Sequence, residues 1–112
     1  MSKSATLYGI PTCETCKKAI KALGAAGYDV TFRDVRAAPL SAAEIDLIVA
    51  EFGARAVNTQ STTYRGFSDF LKASEPEAQI SSQPTVMKRP VILAQGTWYL
   101  GWGDEVQAAL GL

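Results

Sequence analysis

The chain has 112 residues, the size of one ordinary domain, and its 47% hydrophobic and 20% charged residues exclude a disordered or collagen-like polymer. Eleven Lys and Arg balance eleven Asp and Glu, so no basic field exists to hold a phosphate backbone and no nucleic-acid partner is expected. No apolar run approaches the ~18–20 residues of a membrane span, and the first residues run into a strand pattern without an apolar leader, which makes the cytoplasm the expected compartment.

In chain order, Ala5 to Gly9 reads as a short strand, broken by Pro11 and Thr12. Thr12 or Cys13 then starts a helix, with Glu14 at the positive end of the dipole. Ala19, Ile20, Leu23 and Ala26 form its apolar stripe, Lys17, Lys18 and Lys21 its polar face, and Gly27 its C-terminal cap. Asp29 to Val35 alternates as a second strand. A helix of this length between two strands predicts parallel pairing and a right-handed βαβ unit.

Ser41 and Glu44 form a capping-box pattern, followed by Ile45, Leu47, Ile48, Val49 and Phe52, with Gly53 as terminator. Ala54 to Asn58 suits a further turn, and the polar run to Thr63 a loop or cap. Tyr64, Phe67, Phe70 and Leu71 keep helical spacing, and Glu75 to Gln83 reads as a short exposed helix. Val91 to Ala94 is a buried strand, Gln95-Gly96 a turn, and Thr97 to Leu100 the return strand of a hairpin. Asp104 caps a terminal helix with Val106, Ala109 and Leu110 inward. The expected architecture is α/β: a single domain over residues 1–112, with a sheet of about four strands and helices on both faces.

Histidine is absent, which removes every imidazole base and every His-ligated zinc. The two cysteines, Cys13 and Cys16, are half a tetrahedral zinc site, so no metal is expected. A disulfide between them would close a tiny loop and add little constraint. Redox chemistry is the leading use. At a helix start the unpaired N–H groups and the dipole favour a thiolate, which lowers the pKa of Cys13. Cys16, one turn further in, is the candidate resolving thiol; its plain alternative is a small buried core residue. Lys17 and Lys18 add positive potential and Glu14 opposes it. Lys88-Arg89-Pro90, just before a buried strand, forms a second candidate site. The general preference of X–Pro bonds predicts trans there, whereas a cis bond would leave the Arg89 backbone able to hold glutathione or a peptide as an added strand. For the Arg89 side chain the alternative is a solvated cation.

Leu7-Tyr8-Gly9, Cys13 with its basic helix, Asn58-Thr59, Thr62-Thr63-Tyr64-Arg65, Arg89-Pro90 and Leu100-Gly101-Trp102 together resemble the arsenate-reductase-like family, with its ArsC, Spx and YffB branches. The resemblance spans nearly the whole chain. It implies a thioredoxin-like fold, βαβ then ββα around a mixed four-stranded sheet, with a helical insertion at about 40–84. It also implies a cis Arg89–Pro90 bond and Cys13 as nucleophile. Arsenate reductases of this type hold the oxyanion with three arginines. The position in the Asn-Thr-Arg segment is Gln60 here, and Trp98 to Gly103 contains no arginine, so of the three only Arg89 has a counterpart. Arg65 is the one nearby residue that could substitute.

The expected function is that of the YffB branch: a glutathione-dependent thiol–disulfide reductase, with glutathione as co-substrate and no bound cofactor. Cys13, Cys16 and Arg89 would carry the chemistry, and Thr12, Gln60, Arg65, Lys88 and Pro90 would surround the substrate. The alternatives are a Spx-like redox-switched regulator that binds the RNA polymerase alpha subunit, and a true arsenate reductase.

Overall fold

A computed structural model of the chain describes residues 3–112; residues 1 and 2, part of the stretch read above for a leader, lie outside them. Strands β1 (Lys3–Gly9), β2 (Tyr28–Asp34), β3 (Val91–Ala94) and β4 (Thr97–Leu100) form one mixed sheet in the order β2-β1-β3-β4. β1 pairs parallel with β2 and antiparallel with β3, and β3 pairs antiparallel with β4. The helices are α1 (Glu14–Ala25), α2 (Ala42–Phe52), α3 (Thr62–Arg65), α4 (Asp69–Lys72), α5 (Pro76–Ser82) and α6 (Asp104–Ala109), with 3₁₀ turns at Gly53–Ala56 and Pro84–Val86. This is the thioredoxin-like α/β architecture. The chain divides into two compact units, one made of the chain up to Asp34 with Arg89–Leu112, the other of Val35–Lys88. No helix of the described residues is long and apolar enough to cross a membrane.

In the sheet unit the alternation of β1 decides the core. Ala5 and Leu7 point to one face, paired in register with Ala94 and Ile92. Cys16, Ala19 and Leu23 of α1, with Leu110 just after α6, cover that face. Leu7, Leu23 and Ile92 are fully buried, each contributing about 1.5–3 kcal/mol by leaving water. The Tyr28 hydroxyl donates to the Leu110 carbonyl at 2.8 Å and ties β2 to the C-terminus. α1 is capped by Ala26, and Gly27, one residue on, takes the positive φ of +93° that ends the helix.

The unit Val35–Lys88 holds α2 to α5. The predicted capping box is present: Glu44 N–H donates to Ser41 Oγ at 3.1 Å, and Ser41 N–H donates to Glu44 Oε1 at 2.9 Å. Gly53 ends α2 at φ +60°. Four expectations need correction. The stripe from Tyr64 to Lys72 is not one helix, because Ser68 starts a new turn by accepting the Leu71 N–H, and Phe70 is left 84% exposed. α5 is not an exposed helix: Gln79 and Ile80 are buried, and the Gln79 amide donates to the carbonyls of Leu71 and Lys72 at 3.0 and 3.2 Å. In the sheet unit, Asp104 does not cap α6. Gly103 stands at that position without a side-chain bond, and Gln107 instead holds the Trp102 carbonyl at 2.9 Å. Ala109, expected inward, is exposed.

Candidate active site

β1 delivers the chain to a tight turn, Ile10-Pro11-Thr12, closed by Cys13 N–H donating to the Ile10 carbonyl at 3.2 Å. Cys13 then has extended backbone (φ −81°, ψ 114°) and is the N-cap of α1. Its sulfur takes the place of the usual cap oxygen and accepts the Cys16 N–H at 3.4 Å, one of the donors a helix start leaves unpaired. Thr12, exposed, lies beside it in the turn. Glu14, the one acid in the first turn, has its carboxylate 3.2 Å from the Lys17 ammonium, which offsets its opposition to a neighbouring thiolate.

Arg89 comes from the other end of the chain, immediately before β3. The Arg89–Pro90 peptide is cis, as the family resemblance implied and against the expectation from X–Pro preference alone. Pro90 is fully buried, and its carbonyl accepts the Gly101 N–H at 2.8 Å. The Arg89 guanidinium hydrogen-bonds the Cys13 thiol. Burial pushes the Cys13 pKa up. The Cys16 N–H, the Cys16 thiol and the Arg89 guanidinium outweigh that and hold Cys13 below its ordinary value of 9.0. Each of these groups is a donor or a positive charge that favours the thiolate.

Cys16 is the opposite case. It is fully buried. Burial, then its hydrogen bond to Cys13, pushes it up to about 12, against a backbone hydrogen bond from Ile10. At neutral pH it is a thiol. Its sulfur lies over Gly9, where an added Cβ would come within 2.5 Å of it. Gly9 and the Ile10 backbone are therefore site residues that the sequence reading did not single out as such. The available signal was a glycine closing a strand just before a Cys-x-x-Cys turn.

The other predicted substrate residues belong to the unit Val35–Lys88. Gln60 is exposed in an Asx turn, its N–H donating to Asn58 Oδ1 at 3.0 Å. Arg65 is exposed at the last position of α3. Lys88 is exposed and donates its N–H to the Ala56 carbonyl at 2.8 Å. The geometry thus brings together Thr12, Cys13, Cys16, Arg89 and Pro90 within one unit. Among the described residues no cluster of three or more Cys, Asp or Glu could hold a metal ion.

A family model described as the ArsC family matches residues 8–110. An uncharacterised protein of Haemophilus influenzae is 34% identical over 110 residues, covering 93% of this chain and 96% of its own. A global transcriptional regulator Spx of Streptococcus mutans is 31% identical over 114 residues, covering 94% of this chain and 82% of its own. Among solved structures, a protein described as YFFB superposes with a TM-score of 0.83 at 31% identity, covering 95% of this chain and 97% of that one.

Proposed function

The chain belongs to the ArsC family, and from that membership we propose that it is a glutathione-dependent thiol–disulfide reductase with Cys13 as its nucleophile. One observation carries the reading: a half-exposed cysteine caps a helix, accepts the Cys16 N–H at 3.4 Å and lies beside an arginine. Thiol–disulfide exchange needs a thiolate and no separate base, which suits a chain without histidine. The Cys13 thiolate attacks the glutathionyl sulfur of a mixed disulfide. A Cys13–glutathione disulfide forms, the original S–S bond breaks, and the product leaves as a thiolate that takes a proton from water. A second glutathione thiolate then attacks that glutathionyl sulfur, oxidised glutathione departs, and Cys13 returns as thiolate. Net, one mixed disulfide and one glutathione become one thiol and one glutathione disulfide. Arg89 stabilises the thiolate as attacking and as leaving group. Cys16 resolves the mixed disulfide only after losing a proton that its burial holds, so external glutathione is the faster route. The reducing thiol pool this cycle needs fits a cytoplasmic location.

Arsenate is the weaker substrate. Each charge-assisted bond to a half-buried oxyanion is worth roughly 1.5–3 kcal/mol, and Gln60 offers neither charge nor fork. The test is a panel of a glutathione mixed disulfide, insulin and arsenate, each with and without glutathione. Turnover of the mixed disulfide that disappears in Cys13→Ser is expected, with arsenate near background. No such turnover, together with binding to the RNA polymerase alpha subunit, would replace the enzyme by a Spx-like regulator. Strong arsenate reduction lost in Arg65→Ala would show that Arg65 had taken over from the missing arginines.

A further inference from the structure

We propose that a pocket in the unit Val35–Lys88 binds a small aliphatic carboxylate that also carries an N–H or O–H donor, the pairing found in α-amino and α-hydroxy acids. Residues of this unit alone line the pocket, and its volume is about 210 Å³. That is room for about seven waters at the ≈30 Å³ each occupies in the liquid. Drug-sized ligands need more, ~300–1,000 Å³. Neither cysteine lines it, so the thiol chemistry leaves these residues without a role.

The ligand class follows from the groups that line the pocket. Gln79 is 5% exposed. Its amide nitrogen donates to the carbonyls of Leu71 and Lys72 at 3.0 and 3.2 Å, which fixes the amide and leaves its oxygen as an acceptor. No described residue donates to that oxygen, and it is not sealed inside the protein, so it opens on the pocket that Gln79 lines. Ser74, half-buried, is a second acceptor, because its hydroxyl proton goes to the Phe70 carbonyl at 2.9 Å. Acceptors this deep are costly to leave unmet, and they call for an N–H or O–H on the ligand. The charge is positive. The Lys72 ammonium lies 5.7 Å from the centroid of the Tyr64 ring, and among the described residues no carboxylate lines the pocket or pairs with Lys72. The ring holds the ammonium without neutralising it, and the protons left over suit one carboxylate. A phosphate dianion would need more than one cation, and its oxygens would repel the Gln79 acceptor. Buried Val57 and half-buried Pro76 and Tyr64 supply an apolar wall for a short aliphatic body.

Amide NMR titration of the full chain tests the proposal with four probes of similar shape: L-leucine, α-hydroxyisocaproate, isocaproate and isoamylamine. L-leucine, α-hydroxyisocaproate or both should saturably shift Thr59, Ser74 and the Gln79 side-chain amide, all of which line the pocket, in the millimolar range. Binding of L-leucine alone would make the ligand an amino acid, and binding of α-hydroxyisocaproate alone a hydroxy acid. Isocaproate lacks the donor and isoamylamine the carboxylate. Each should bind about 10-fold or more weakly, the loss that one hydrogen bond to a charged or buried group entails. Lys72→Met keeps the stem without the charge and should weaken binding of the acid about 10-fold or more. Ala54→Phe, at an exposed lining position, should fill the pocket and abolish binding. Circular dichroism checks that both variants are folded. Absence of a saturable shift with either acid into the tens of millimolar, shifts confined to residues outside the pocket, equal affinity for all four probes, or wild-type binding in either variant would each overturn the assignment.

Discussion

In the sheet unit the residues that meet are distant in sequence. Ala5 pairs with Ala94, Tyr28 bonds Leu110, and Arg89 reaches Cys13. In the unit Val35–Lys88 many side-chain bonds are local: Ser41 caps over Glu44, Ser61 over Tyr64 and Ser68 over Leu71. The chemistry sits where the long-range pairing is, because a thiolate site needs donors and charge converging on one sulfur from separate segments. Local caps make short helices but bring no distant cation to a nucleophile. Mutations should therefore fail differently in the two units, and the following measurements sharpen or break that contrast.

The largest effect is expected at Cys13. Cys13→Ser should lower turnover of a glutathione mixed disulfide by about 10³-fold or more while leaving the denaturation midpoint close to wild type. Cys16→Ser should keep most of the turnover, and equal losses in the two variants would show that Cys16 resolves the intermediate.

Next come two buried positions, one in each unit. Gln79→Ala removes the amide donor of the Lys72 carbonyl and leaves the Leu71 carbonyl with the Ser74 N–H alone, and should cost about 1–3 kcal/mol in urea denaturation, with Cys13 alkylation unchanged. Gly9→Ala forces its new methyl against the Cys16 sulfur and should cost a similar 1–3 kcal/mol. It should also change the alkylation rate of Cys13, because the Cys16 N–H and thiol both act on that residue. Loss of stability with no change at Cys13 would mean that Gly9 serves packing alone. Ser41→Ala, which removes the capping box of α2, should cost about 1 kcal/mol with no effect on the thiol.

The smallest expected effects are in pH dependence. Cys13 is held below 9.0, so its alkylation rate should rise with pH to a plateau whose midpoint lies below that value. Arg89→Ala removes a donor and a charge, and should move the midpoint up. For stability the two cysteines have opposite signs. The Cys13 contribution is present above its unfolded value and is lost as pH falls through its depressed folded value. For Cys16, raised to about 12, the unfolded chain releases its proton first. Stability should therefore decline as pH rises from about 9 toward 12, and this decline should be smaller in Cys16→Ser. An identical alkaline decline in that variant would place its cause elsewhere.

The local grammar of the chain was legible before any coordinates. Cys13 at the start of α1, the Ser41–Glu44 capping box and the hairpin at Gln95-Gly96 each depend on neighbours a few residues away, and each is where the sequence places it. The parallel pairing of β1 and β2 was legible too, since a single helix connects them. The misreadings lie where distant contacts override local pattern. The spacing from Tyr64 to Leu71 looks like one helix, but Ser68 caps a second turn and leaves Phe70 outward. Gln79 looks like a surface residue, yet it is buried with its amide on two carbonyls at the end of α4. The cis bond at Pro90 followed from family resemblance and not from residue preference. Nothing local to Arg89 says that it meets Cys13, and the one local signal at Gly9, a glycine closing a strand before the Cys-x-x-Cys turn, marks the position without saying which sulfur lies over it. The residue types of the site were written in the sequence. Their convergence on one thiol was decided by the pairing of β1 with β3, which sets the turn after β1 beside the segment entering β3.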